Sequence, residues 1–312
     1  MSDSLANPPA SGGSGPLADE EPQPPYAFIR SQLTRGKVIP FLGAGASLAS
    51  RPGGSAWKPG AGFLPSGSEL AKYLDDRSGY PSGEAAELAR VAQYFDGITG
   101  RGGLDSELHD VFAAAGAPGT LHRFLADLPH LFVVTTNYDD LMEQALRDKG
   151  LSPRVVVYRT SSPLFLYWDR DRTEPEEVGA QDLRFDVAEA PVVFKMHGAA
   201  DRANPERDSY VITEDDYVEF LARLATTAAI PPLFAESFRK SHFLFLGYGL
   251  RDWNLRVVLH RIYQQWPRRF ASWAIQQRPD RLEREFWARR QLMIYKLGID
   301  EFLARLQEAD PQ

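Results

Sequence analysis

Four short runs of large apolar residues, each cut off by a glycine or a small polar cluster, constrain the fold of this chain more than any other feature. They are Val38-Ile39-Pro40-Phe41-Leu42, Leu131-Phe132-Val133-Val134-Thr135-Thr136, Pro191-Val192-Val193-Phe194-Lys195 and Phe243-Leu244-Phe245-Leu246. β-Branched and aromatic residues without polar alternation suit strands covered on both faces. Helical patterns separate them: Tyr26–Thr34, Ser68–Asp76, Glu84–Phe95, Leu104–Ala114, Leu121–Leu128, Tyr138–Lys149 and a helix opened by Thr213-Glu214-Asp215-Asp216, which has the form of a capping box. Asp252 is placed to cap a helix over Trp253–Tyr263. Further strands are expected at Val155–Tyr158, Ser272–Ile275 and Met293–Lys296, with helices at Arg281–Arg290 and Glu301–Glu308.

Strands alternating with helices predict an α/β fold with a doubly wound, mainly parallel, Rossmann-like sheet and a smaller helical subdomain over about 68–128. Residues 159–190 are polar and poorly periodic and are expected as an excursion over the surface. The Gly/Pro-rich stretch Arg51–Gly67 is expected as a long loop, a candidate lid. Met1 to Pro25 holds too little apolar surface to offset the entropy of ordering, so a disordered arm is expected before one domain over 26–312. That arm lacks the apolar core of a signal peptide, and no apolar run approaches bilayer length, so a cytoplasmic location away from membranes is expected.

Formal charge is 35 − 42 = −7, which argues against general binding to nucleic acid. Between Arg251 and Lys296, however, 11 Lys/Arg face 4 Asp/Glu; a solvated basic face and a docking surface both fit. The chain has no cysteine, which excludes disulfides, thiolate zinc sites, iron–sulfur clusters and a cysteine nucleophile together.

In a parallel sheet the carboxyl ends of all strands share one edge, and ligands of doubly wound folds bind in the crevice there. Four segments far apart in sequence are therefore expected at one cleft. Gly43 and Gly45, directly after a strand, can bring backbone N–H groups to a pyrophosphate, or simply make a tight turn; the third small residue of a dinucleotide fingerprint is Leu48 here. Ser47 can donate a hydroxyl or cap a helix. His197 follows a buried strand and can take a proton from a hydroxyl or water near neutral pH. Lys195, by strand alternation, is expected on the same side as His197, with a salt bridge at the sheet end as the other reading. Asn137 can orient a water or a ribose hydroxyl, or cap a helix. Asp139 can accept from a ribose or serve a helix N-terminus.

Gly-Ala-Gly-Ala-Ser at 43–47, Thr-Asn-Tyr-Asp at 136–139, Lys-x-His-Gly at 195–198 and Gly-Tyr-Gly-Leu-Arg-Asp-Trp-Asn at 247–254 occur in the order seen in Sir2-like proteins. The chain most resembles the bacterial subgroup found in antiphage defence, and Phe63-Leu64-Pro65-Ser66 resembles that subgroup's cofactor loop. The resemblance implies that Gly43, Ala44, Gly45 and Ser47 hold NAD phosphates and ribose, with Pro65 at the cofactor. It places Asn137 beside the scissile bond, Asp139 near the nicotinamide and His197 as the catalytic histidine. Gly247, Tyr248 and Gly249 would line the adenosine half; Gly249 stands where the family often has serine. Asp252 and Asn254 match the subgroup, as cofactor contacts or as helix caps.

Sirtuin deacylases carry a four-cysteine zinc ribbon that this chain cannot form. The subgroup instead hydrolyses NAD⁺ to nicotinamide and ADP-ribose, without a metal, because the leaving group is already a cationic pyridinium. Two alternatives stand beside this reading: a non-catalytic NAD- or ADP-ribose-sensing module, and a protein deacylase or ADP-ribosyltransferase. Unrestrained loss of NAD⁺ would kill the producing cell, so the resemblance implies restraint by a homo-oligomer or by a HerA-like ATPase or Argonaute partner. A separate partner is expected over an internal sensor, with 251–296 as its candidate surface.

Overall fold

The computed structural model describes residues 21–49, 51, 55–81, 87–114, 116–170, 172–226, 229–250, 253–265 and 270–309, the side chains at 253–255, 261, 263 and 265 excepted. A nine-stranded sheet runs through the molecule. Its strands are β1 (Val38–Leu42), β2 (Phe132–Thr135), β3 (Arg154–Val157), β4 (Leu164–Trp168), β5 (Glu176–Gly179), β6 (Val192–Lys195), β9 (His242–Leu246), β10 (Ser272–Gln276) and β11 (Leu292–Lys296). The small pair β7 (Gly198–Ala199) and β8 (Ser209–Tyr210) lies apart. Sheet order is β11-β10-β9-β1-β2-β6-β3-β4-β5, parallel from β11 through β3. The four strands that constrain the fold are thus the contiguous centre, β9-β1-β2-β6. The chain leaves β1 toward β2 and later returns to β1's other side with β9, so the strand order reverses beside β1, where doubly wound sheets open a crevice.

Alternation along these strands supplies both faces. Ile39 and Phe41, with Phe132, Val134, Phe194, Phe243 and Phe245, join a phenylalanine-rich core. Over it pack α8 (Glu214–Ala225), α9 (Ala235–Lys240), α10 (Trp253–Gln265) and α11 (Arg281–Ala288). Val38, Leu42, Val133, Leu244 and Leu246 point the other way, against α1 (Tyr26–Thr34), α6 (Thr120–Ala126), α7 (Leu141–Asp148) and α12 (Ile299–Glu308). The short α2 (Ala44–Leu48) follows β1 directly. A third core is built by α3 (Gly67–Ser78), α4 (Leu88–Thr99) and α5 (Arg101–Ala113), whose Leu70, Leu74, Phe95, Leu104 and Leu108 pack together near Tyr210 and Ile212. Helix α6 falls inside the span expected for the helical subdomain, yet its Leu121 and Leu125 pack on the sheet face with α1 and α12.

Two expectations change. Residues 159–190 do more than cross the surface: β4 pairs antiparallel with β3, β5 with β4, and Phe165, Leu166 and Tyr167 are buried. The run Leu164-Phe165-Leu166-Tyr167-Trp168 carries the aromatic content of a strand despite its polar flanks. The helix expected from Tyr138 begins at Leu141, because the Asp139 carboxylate takes the Leu141 N–H at 3.1 Å and ends the preceding loop there. Thr213 does form the expected capping box, with Asp216 answering it. Most of the expected N-terminal arm, residues 1–20, lies outside the described residues; Glu21 and Gln23 reach Arg284, Lys296 and Arg305. No helix among the described residues is long and apolar enough to cross a membrane.

Candidate active site

The ends of β9, β1, β2 and β6 open into one cleft of about 960 Å³, mouth included. Its lining brings together Gly43, Ala44, Ser47, Pro65, Asn137, Asp139, His197 and Gly247-Tyr248-Gly249. Gly45 lines a second chamber of about 1140 Å³ instead, over the ends of β9, β10 and β11. Gly247, Tyr248 and Gly249 line both chambers, so the two adjoin at the switch point. Asp252 and the side chain of Asn254 lie outside the described residues.

Close approach of two backbones makes that junction. The Gly45 N–H donates to the Gly247 carbonyl at 3.0 Å. A Cβ on Gly247, whose φ is +76°, would sit 2.1 Å from the Ala46 nitrogen, so neither the conformation nor the space admits a side chain.

Hydrogen-bond chemistry fixes which atoms face the cleft. Thr135 Oγ1 donates to the Leu42 carbonyl and accepts from the Asn137 N–H, each at 3.0 Å, tying β2's end to β1. A carboxylate only accepts, so the 3.0 Å contact between Ser47 Oγ and Asp139 Oδ2 commits the single serine proton to Asp139. Ser47 Oγ is then an acceptor toward Asn137, 3.0 Å away, and the Gly43 carbonyl 3.1 Å away is one as well. Only the NH₂ side of an amide can serve both. Asn137 therefore turns Nδ2 inward and presents Oδ1, which meets no donor among the described residues, as a free acceptor. Asn137 is no helix cap; Asp140 stands at the cap position of α7, and Asp139 accepts the Leu141 N–H in the turn before it.

His197 is 7% exposed and its Nε2 has no hydrogen-bond partner. Its ring is held edge-on by Tyr217 and Phe220, with centroids at 5.5 and 5.1 Å. Burial pushes its pKa down to about 3, so the ring is neutral at physiological pH and offers a lone pair. Gly198 follows at φ +91°, where a Cβ would lie 1.9 Å from the Ser209 carbonyl oxygen; only glycine turns the chain here. That turn also redirects His197. Lys195 keeps the alternation of β6, on the side of Val193, and points away from the His197 cleft into a salt bridge with Glu143, Nζ to Oε1 3.2 Å; the sheet-end salt bridge is the reading that holds.

Sequence reasoning missed several lining residues. Tyr217 lines the first chamber, and Gln276, Gln277, Arg278 and Asp300 the second. Arg278 follows β10 as the glycine clusters follow β1 and β9, and its position at a strand end was the available signal. The 51–67 loop proves fastened rather than free in its described part. Glu69 accepts from Arg51 (2.6 and 2.7 Å), the Trp57 N–H (2.8 Å) and the Ser66 N–H (2.9 Å), and these donors, Arg51 foremost, hold its carboxyl well below the usual range. Glu69→Ala is expected to speed hydrogen exchange at Trp57 and Ser66 about tenfold, the loss of one charge-assisted bond. Exchange confined to its wild-type rate would show the loop held by other contacts.

Among the described residues no group of three or more His, Asp or Glu side chains is gathered for a metal.

Comparison with known proteins agrees with this geometry. The chain is 31% identical over 224 residues to the NAD(+) hydrolase ThsA of Cytobacillus dafuensis, covering 71% of this chain and 37% of that one. It is 30% identical over 222 residues to the protein of that name from Acinetobacter baumannii (strain 532279), 70% and 38% covered. Defense-associated sirtuin 2 of Bacillus subtilis is 24% identical over 236 residues, 74% of this chain and 20% of that one. The chain thus spans well under half the length of these relatives. A family model described as the SIR2-like domain matches residues 131–295, more than half of the chain, and includes three of the four strand ends that form the cleft. The chain belongs to the SIR2-like domain family.

Proposed function

We propose that this chain is an NAD⁺ hydrolase that cleaves the nicotinamide–ribose bond and releases ADP-ribose. One observation carries it: a free amide oxygen on Asn137 and an unpartnered neutral imidazole on His197 line the same cleft, at the switch point of a Sir2-like sheet. The dinucleotide would span both chambers, its nicotinamide ribose beside Asn137, Asp139, His197 and Pro65, and its phosphates over Gly43, Ala44, Gly45 and Ser47. Its adenosine would lie beyond Gly247, Tyr248 and Gly249. Asp252 and Asn254 follow that turn and complete the proposed cofactor set.

Nicotinamide leaves with the electron pair of the C–N bond, which neutralises its ring and places positive charge on the ribose. Asn137 Oδ1 accepts from the attacking water, the water oxygen bonds to the ribose carbon, and His197 takes the released proton. A base buried and neutral at physiological pH can do so without first losing a proton. The relatives' names, NAD(+) hydrolase and defense-associated sirtuin, support depletion of NAD⁺ in defence; its setting in antiphage defence and in the cytoplasm is part of the same proposal. Restraint would come from self-assembly or from an ATPase or Argonaute partner, with the basic stretch 251–296 as docking surface. Arg278 of that stretch lines the second chamber, so it is assigned to the dinucleotide instead. Arg278→Ala is expected to raise KM for NAD⁺ about tenfold with kcat unchanged, as for binding made equally in ground and transition states; an unchanged KM would return Arg278 to the docking surface.

The test is release of nicotinamide from NAD⁺ by the purified chain across protein concentrations, with and without an acylated peptide. Nicotinamide and ADP-ribose without peptide support the hydrolase. Release that requires the peptide moves the chain to the deacylases. Calorimetric binding of NAD⁺ without release at any concentration leaves a sensing module.

A further inference from the structure

Behind the cleft wall, two charged side chains are buried against each other. Lys195 is 2% and Glu143 4% exposed. Glu143 Oε2 meets no donor among the described residues, and burial raises its carboxyl against the pull of Lys195. A buried pair of this kind adds little stability, because desolvation offsets the attraction, and apolar replacements are often neutral or stabilising. Its presence calls for another account, and the remaining bond of Lys195 supplies one. Nζ also donates to the main-chain carbonyl of Asp139, the residue whose carboxylate sets the proton of Ser47 and, through it, the amide of Asn137.

We propose that Lys195 and Glu143 are a positioning pair: Lys195 clamps the Asp139 peptide so that its carboxylate meets Ser47 and Asn137 keeps Oδ1 in the cleft, while Glu143 holds the ammonium on that carbonyl. Neither residue lines the cleft; both face a separate cavity on the other side of β6. The assignment rests on the hydrolase reading. Asp139 is gripped at both ends, its carbonyl by Lys195 and its Oδ1 by the Leu141 N–H. Releasing one grip lets the peptide rotate, and the error travels through two short hydrogen bonds to the reacting face.

Removing one partner alone strands a buried charge and risks misfolding, so the informative variant is the double Lys195→Met/Glu143→Leu, which removes both. It is expected to fold and to lower kcat about a hundredfold, the effect of a misplaced reacting group, with KM for NAD⁺ nearly unchanged. Glu143→Gln keeps an oxygen for Lys195 and is expected to retain most of kcat. A folded double variant with wild-type kcat overturns the proposal, as does a folded Glu143→Gln variant whose kcat falls as far as that of the double variant. If the wild type itself releases no nicotinamide, the hydrolase reading falls, and hydrogen exchange over residues 136–141 still decides the pair. Faster exchange confined to that segment in the double variant supports the clamp; unchanged exchange overturns it.

Discussion

Asn137→Asp is expected to lower the rate of nicotinamide release about a thousandfold at saturating NAD⁺, the upper range for losing a preorganised polar contact to the reacting centre. The substitution exchanges one heavy atom, Nδ2 for an oxygen, and changes hardly any volume, so its effect isolates hydrogen-bond polarity. Aspartate at 137 brings only acceptors toward the Gly43 carbonyl and Ser47 Oγ, which the amide contacts at 3.1 and 3.0 Å. Ser47 has one proton, and Asp139 Oδ2 already holds it at 3.0 Å. Two carboxylates would then compete for one hydroxyl, and the side chain at 137 must rotate outward or carry a proton. Either outcome removes the fixed Oδ1 acceptor from the cleft. A compensating second change follows from the same chemistry: in Asn137→Asp/Asp139→Asn, Ser47 can donate toward 137 and accept from 139. Part of the lost rate should return, about tenfold, as coupling between contacting residues allows. Single-turnover nicotinamide release, with melting curves as a check on folding, measures both. A single variant within a few-fold of wild type would show that Asn137 does not present its oxygen to the reaction.

How far this site could be read in advance depended on how local each signal was. The four strand ends were legible because a buried parallel strand is a contiguous apolar run, and the residue that stops it must be small or polar to face a crevice. Their common edge followed from parallel topology alone. The neighbour order β9-β1-β2-β6 did not, since nothing within one strand names its partners. Strands β4 and β5 were hidden by their setting: Glu176-Glu177-Val178-Gly179 is an exposed edge strand with no apolar pattern to reveal it. Lys195 forms the sheet-end salt bridge that was one of its two readings; the shared side with His197 failed because alternation holds only while the chain stays extended, and it turns at His197-Gly198, where φ reaches +91°. The roles of Ser47 and Asp139 needed an atomic contact across 92 residues of sequence, which spacing cannot report. Arg278 carried a readable position but an unremarkable residue type, one of 11 cations in a basic stretch.

Acidification from pH 6.5 to 5 is expected to cost the wild-type fold about 2 kcal/mol through His197 alone, on the way to about 4 kcal/mol by pH 3. Burial against Tyr217 and Phe220 depresses the folded-state pKa from 6.5 to about 3, whereas the unfolded chain titrates near 6.5. Between these values the unfolded state binds a proton that the folded state refuses. Stability therefore rises with pH across this window, and is lost as pH falls through 6.5 and continues to fall until about 3. His122, also buried and depressed, adds a loss of the same sign. Glu69, whose folded carboxyl is depressed, begins to lose its contribution only as pH falls through 4.5, its ordinary value, below the interval from pH 6.5 to 5; the raised carboxyl of Glu143 acts in the opposite direction, equally in wild type and variant. The difference between wild type and His197→Gln therefore reports His197: urea midpoints at pH 7 and pH 5 should draw closer together in the variant. The same substitution removes the proton acceptor from the cleft and should abolish nicotinamide release, so one protein tests both faces of the residue. Equal acid sensitivity in wild type and variant would mean that the ring takes its proton in the folded state at an ordinary pH. His197 would then still be largely neutral at physiological pH, and its role as base would rest on an ordinary imidazole rather than on one held neutral by burial.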